Sequence, residues 1–287
     1  MAQSLLAVRK RINTVQSIRK ITKAMKLIAS SRYNKLKEIY DSNTAYISSL
    51  KYAMELCLQR VDFEKTKLPT CLTKNPGNKK LYIFITPTLG LCGSYYYNLD
   101  KLAKKHLTKE DDCIFIGEKG YKHYKNKVHL AIHDYVNLNE NLTLDNVNYF
   151  RHELDKLYRD NSYSSIYIIY TKYLSSMSTV AKIEQLLPLK EAKVDYKKPL
   201  KLPFFDGQSA KVADLIVPHY LDALIYRYFL ESLISEQTCR KNSMENATSS
   251  ADQLIYNLKL EYNKIRQQKI TQEITEIVSG NNNDTVS

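Results

Sequence analysis

The sequence predicts an α/β fold: a long antiparallel coiled coil made by the N- and C-terminal helices, with an α/β domain in the middle of the chain. Three observations carry this. Glycine and proline are absent from Met1 to Leu68 and again from His219 to Ser279. In both stretches apolar residues recur at spacings of three and four, the period of one helical face. All seven prolines and six of the seven glycines fall between Pro69 and Pro218, where β-rich runs alternate with helical ones. The expected division is an N-terminal helix over 1–68, a central domain over 69–208, a C-terminal helix over 209–280 and a polar tail over 281–287.

In the first helix the apolar stripe runs through Leu5, Val8, Ile12, Val15, Ile18, Met25, Ile28, Leu36, Ile39, Ile47, Leu50 and Met54. In the last helix Met244, Ala247, Ala251, Leu254, Leu258, Tyr262 and Ile265 carry the seam, and the small alanines allow a partner helix to come close. Gly280 then supplies a stop before the tail NNNDTVS. At about 1.5 Å per residue, helices of roughly 55 and 65 residues are about 80 and 100 Å long, too long for a compact domain. Each needs another helix to bury its stripe, and the two ends of one chain can supply each other.

In the middle of the chain, LYIFIT (81–86), CIFIG (113–117), VHLAI (128–132), SIYIIYT (165–171) and STVAKIEQLLPL (178–189) read as strands. Helical stretches at 97–106, 119–126 and 144–159 alternate with them. That alternation implies a small Rossmann-like domain with a largely parallel sheet.

At 287 residues and 44% hydrophobic, the chain has ample material for a core. No apolar run is long enough to cross a membrane, and the first residues lack a secretory h-region, so a soluble or membrane-peripheral protein is expected. Five cysteines without a CxxC pair argue against a disulfide or zinc framework and for a reducing compartment. The net charge of +13 calls for an acidic partner. Arg9, Lys10, Arg11, Arg19, Lys20, Lys23, Lys26, Arg32, Lys35 and Lys37 all precede the first carboxylate, so the positive field is concentrated at one end of the sequence.

Candidate chemistry is sparse. The turn TLGLCGSYYYN (88–98) sits where a phosphate loop would, but Gly90 and Gly93 match neither GxxxxGK[ST] nor GxGxxG. Cys92 has no neighbouring His or acid to activate it. His129 and His133 are four apart in a stretch that alternates like a strand, with no Glu between them, so a metal site is not expected. No catalytic residue, cofactor or metal is assigned.

Two terminal segments are more specific than any of these. IRKITKAMKLIASSR (18–32) and EYNKIRQQKITQEITEIVSG (261–280), with MENAT (244–248) and GLCG (90–93), closely resemble the gamma subunits of F-type ATP synthases in order and spacing over nearly the full length. The residues leading into GLCG, Thr86 to Leu89, and Phe204 to Gly207 ahead of the last helix depart from the family pattern.

The resemblance implies a non-catalytic rotor shaft. It would turn inside a hexamer of alpha and beta subunits, with an epsilon-type subunit and a membrane rotor ring at its base, on the cytoplasmic face of a bacterial-type plasma membrane. It also implies contacts with beta-subunit loops through Lys20, Lys23, Met25, Lys26, Arg266 and Gln267, and a shaft tip carrying Thr271, Gln272 and Glu273. Two other readings stay open at this point. One is a shaft serving a specialised ATPase that is not coupled to proton flow. The other is a basic coiled coil that tracks nucleic-acid phosphates, although Tyr33 is the only aromatic before Tyr40 available for base stacking.

Overall fold

The computed structural model describes residues 5–58, 70–73, 75–140, 142–160, 163–189 and 209–283. The chain divides into two compact units, one formed by 1–29 with 240–287 and the other by 30–239. Two long helices, α1 (Leu5–Leu58) and α5 (Ser209–Asn283), contribute to both.

The larger unit is organised by a five-stranded sheet of order β3-β2-β1-β4-β5. Its strands are β1 (Lys79–Ile85), β2 (Asp112–Ile116), β3 (Leu130–Ile132), β4 (Tyr163–Tyr173) and β5 (Thr179–Leu187). The first four run parallel, and β5 returns antiparallel beside β4. Helices α2 (Tyr95–His106), α3 (Glu118–Tyr124) and α4 (Leu144–Asp160) make the crossovers. A strand buried on both faces reads as a continuous apolar run, and β1 shows why. Leu81, Ile83 and Ile85 point to the side where α4 brings Val147, Phe150 and Leu154 and α5 brings Leu221, Ile225 and Phe229. Tyr82 and Phe84 point to the side covered by Tyr95, Leu99 and Ala103 of α2 and Tyr124 of α3. Each large apolar side chain buried in this way contributes about 1.5 to 3 kcal/mol. The central strands β1 and β2 are sealed on both faces, while the edge strands β3 and β5 are only partly covered.

One glycine is required by geometry. Gly117, after β2, sits at φ 90°, and a Cβ there would lie 2.0 Å from the Thr86 carbonyl oxygen. The Thr86 hydroxyl donates to the neighbouring Ile116 or Gly117 carbonyl, each 3.0 Å away, tying the ends of β1 and β2 together.

In the smaller unit the two helix segments lie antiparallel, because Arg19, Thr22 and Lys26 meet Asp252, Thr248 and Glu245 in that order. Val8 and Val15 bury against Ala251, Ile255 and Leu258, with Ile12, Tyr262 and Ile265 packed alongside.

One expectation needs correction. Gly280 does not end the last helix, which continues to Asn283. A glycine in a helix costs only about 1 kcal/mol relative to alanine, too little to enforce a stop alone. The helix begins at Ser209, where it was expected, and contains Pro218. Burial of Val217, Leu221 and Ile225 in the sheet core holds that turn in place despite the missing N–H.

Candidate partner-binding surfaces

In the smaller unit the α1 seam follows Val8, Ile12, Val15, Arg19, Thr22, Lys26 and Ala29, alternating steps of four and three. Polar residues occupy seam positions that an apolar count assigns elsewhere. Ile18 and Ile28, expected in the seam, are 49% and 58% exposed, as Ile39 is at 43% in the larger unit. Thr22 and Ala29 are buried in their stead. Ile18 and Ile28, with Ile21 and Met25, form a second apolar stripe spaced three, four and three. Lys20 and Lys23 are exposed on other faces of the helix, while Met25 is half-buried. A helix that is apolar on two faces has one more face than its own chain covers.

Lys26 is placed differently from its neighbours. Its Nζ donates to Glu245 Oε1 at 2.7 Å, and the ammonium holds the Glu245 carboxyl below its usual range. Of the four α1 residues expected to meet a partner, it is the one already engaged within the chain.

On α5 the seam runs Met244, Thr248, Ala251, Ile255, Leu258, Tyr262 and Ile265. Met244, Ala251 and Leu258 are buried as expected, and Ile265 is half-buried. Leu254 is 41% exposed and its neighbour Ile255 takes the inward position, while Ala247 is only half-buried because Thr248 occupies the seam. The heptad steps are correct, but each of those two is one residue out.

Continuing the same pairing brings Ile265 opposite Leu5, the first described residue of α1. Beyond it every residue from 266 to 277 is exposed. Arg266, Gln267, Thr271, Gln272 and Glu273 all lie on this solvent-facing stretch, held only by local contacts. The Thr271 hydroxyl donates to the Gln267 carbonyl at 2.9 Å, and Gln272 donates to Glu276 at 2.8 Å. Ile270, Ile274 and Ile277, at spacings of four and three, are 48%, 56% and 71% exposed. Like α1, this segment has an apolar stripe with no cover.

The α/β domain offers its titratable groups little freedom. His129 Nδ1 lies 2.7 Å from Asp112 Oδ1, and His133 Nε2 lies 3.4 Å from Glu118, so the two histidines serve different carboxylates. Among the described residues no group of three or more His, Cys, Asp or Glu is placed to hold a metal ion. Cys71, Cys92, Cys113 and Cys239 are in no disulfide. Burial pushes the Cys71 thiol up to about 12 and the Cys113 thiol well above its usual value, the reverse of what a nucleophile needs. The side chain of Cys57 and the departing residues Phe204 to Gly207 lie outside what is described. In the GLCG turn, Leu91 adopts φ 62° and is 60% exposed, with Leu89 at 69%.

Comparison with known proteins gives a consistent picture. A family model described as ATP synthase matches residues 4–283. The chain is 35% identical to the ATP synthase gamma chain of Ureaplasma urealyticum serovar 10, over 96% of this chain and 99% of that one. It is 32% identical to the ATP synthase gamma chain of Clostridium pasteurianum, over 98% of both. It is 28% identical to a gamma chain from Acetobacterium woodii named as sodium ion specific, again over 98% of both. Among solved structures, a chain of the Euglena gracilis mitochondrial ATP synthase OSCP/F1/c-ring assembly superposes with a TM-score of 0.64 at 16% identity, covering 96% of this chain and 93% of that one. A chain of the Tetrahymena thermophila central stalk and c-ring gives 0.55 at 20% identity, covering 79% and 99%.

Proposed function

Because this chain belongs to the ATP synthase gamma family, we propose that its uncovered helix faces are the surfaces on which the catalytic subunits act. The protein is the gamma subunit of an F-type ATP synthase, the central-stalk rotor that works with alpha and beta subunits and a membrane ring. Nothing in these similarities supports a nucleic-acid-binding coiled coil or a shaft serving a different ATPase. Catalysis in this reading resides on the beta subunits, and the chain is peripheral at the cytoplasmic face of a bacterial plasma membrane. No described helix is long and apolar enough to cross a membrane.

The observation that carries the reading is the pair of apolar stripes left bare, Ile18–Ile21–Met25–Ile28 on α1 and Ile270–Ile274–Ile277 on α5. A shaft must touch its housing at every angle and be held at none. Each 1.4 kcal/mol of extra affinity for one orientation slows escape about tenfold. Apolar stripes on helices that also expose lysines suit that requirement, since exposed ion pairs are worth only roughly 0 to 1 kcal/mol. Lys20, Lys23 and Met25 are assigned to the beta-subunit loops, with Lys26 contributing through its bond to Glu245. Arg266 and Gln267 are assigned to a loop of beta nearer the tip, and Thr271, Gln272 and Glu273 to the sleeve around it. An epsilon-type subunit and the ring are assigned to the α/β domain.

The test is reconstitution with alpha and beta subunits and the membrane sector. Met25→Lys adds a charge in the middle of the α1 stripe and is expected to lower ion pumping per ATP hydrolysed while assembly is retained. Replacing Arg266 and Gln267 together by alanine is expected to lower ATP hydrolysis by the assembled complex. Unchanged pumping in the first variant and unchanged hydrolysis in the second would remove these residues from the contact surface.

A further inference from the structure

The seam of the smaller unit changes chemistry along its length. Where Val8 and Val15 face Ile255 and Leu258 it is apolar. Over the next heptad it is polar in three successive layers: Arg19 with Asp252, Thr22 with Thr248, and Lys26 with Glu245. In the middle layer the two hydroxyls are 2.8 Å apart, and Thr22 is only 8% exposed. Each also reaches its own helix, Thr248 to the Met244 carbonyl at 2.7 Å and Thr22 to the Arg19 carbonyl at 3.1 Å. When Thr248 donates to Met244 and Thr22 donates to Thr248, both protons are used.

We propose that Thr22 and Thr248, flanked by the Arg19–Asp252 and Lys26–Glu245 ion pairs, form a polar clasp that fixes the axial register of the two helices in this unit. The apolar layers cannot do so. A seam of Val, Ile and Leu at heptad spacing accepts a slide of one repeat, because each residue meets another apolar residue of similar size. The hydroxyl layer rejects it, whereas the ion-pair layers oppose it only in part, because Lys26 would meet Asp252 on a slide one way and Arg19 would meet Glu245 on a slide the other way. A slide one way sets Thr22 against Ile255 and Arg19 against Lys259. A slide the other way sets Thr248 against Val15. In either case the bond between the hydroxyls is lost, and in the first case like charges face each other. A single polar pair buried in a coiled coil specifies register at some cost in stability, so thermal stability and register should separate on substitution. Both helices continue beyond this unit, so the motion resisted is local sliding and rolling about the seam. The consequence is positional: the clasp sets where Lys20, Lys23 and Met25 stand on α1 relative to Arg266 and Gln267 on α5.

The experiment measures the distance distribution between spin labels on the full chain. The labels are placed at the exposed positions Asn13 and Tyr256, with the five native cysteines replaced by alanine and melting compared with the parent. The Thr22→Val, Thr248→Val double variant keeps side-chain shape and removes both hydroxyls. It is expected to broaden the distribution by about twofold, or to displace its mean, with melting unchanged or raised. Thr22→Ser retains the hydroxyl and is expected to keep the parental distribution. An unaltered distribution in the double valine variant would overturn the clasp. Equal broadening in the serine variant would overturn it too, by showing that methyl packing and not the hydroxyl sets the register.

Discussion

Arg151 shows how a buried charge is made tolerable. Its side chain is 7% exposed, yet Nε donates to Asp222 at 2.7 Å and one terminal nitrogen donates to Asp155 at 2.6 Å, joining α4 to α5. Removing the cation leaves two largely buried carboxylates without their counter-ion. Arg151→Met is expected to lower unfolding free energy by about 3 to 5 kcal/mol, read from urea denaturation. Glu231 is the opposite case. It is 1% exposed, Arg227 donates to its Oε1 at 2.8 Å and Tyr40 reaches the same oxygen at 3.4 Å, while Oε2 has no hydrogen-bond partner. Burial raises its pKa above the usual value, and the nearby Glu184 adds to the rise, against the opposing pull of Arg227 and Lys172. A carboxyl with a raised folded pKa contributes stability that is present below about 4.5 and lost as pH climbs through the folded value. Glu231→Gln should therefore flatten the fall in urea midpoint above pH 4.5, and an unchanged slope would show that another group sets it. None of this was legible beforehand. A charged residue reads as surface until its burial is known, and Thr22 and Thr248 read as gaps in an apolar stripe because a hydroxyl gives no periodic signal.

At the scale of the element, periodicity was a good guide to existence and a poor one to rotation about the axis. Every strand of the sheet was expected, because β1, β2 and β4 are apolar runs bounded by turn residues. The parallel arrangement followed from their alternation with helices. The seam was placed one residue out at Leu254 because Leu254 and Ile255 are both apolar, and only the opposing helix selects between them. The tip of α5 carries a prediction of its own. Ile270 and Ile274 lie beyond the paired part of the helix and remain exposed. Replacing both by glutamate should leave the melting temperature of the isolated chain within about 2 °C. The same variant should fail to co-assemble with alpha and beta subunits on gel filtration, and normal assembly would show that the stripe lies in solvent in the complex as well.

For the whole molecule, charge and hydrophobicity divide the labour of recognition. The excess of +13 acts over a Debye length of about 8 Å at physiological salt, enough to orient an approaching acidic surface but not to hold it. Association of the chain with its catalytic subunits should therefore slow as salt rises from 0.05 to 0.5 M, with little change in dissociation once assembled. A dissociation rate that rises in parallel would assign the holding energy to ion pairs. The sequence alone carried the class of fold, the antiparallel pairing of the ends and the family. It did not carry which cations were already spent inside the chain, as Lys26 is on Glu245, because that depends on side chains more than 200 positions apart.

The bare isoleucines near the end of α5 bear on how a cell must manufacture this protein. A copy released from the ribosome without companions offers an amphipathic handle to chaperones and a foothold for proteases, and two such copies offer each other a reason to stick. Translation of this subunit therefore has to be matched in number to that of the subunits that enclose it, since surplus molecules become substrates for degradation instead of spare parts.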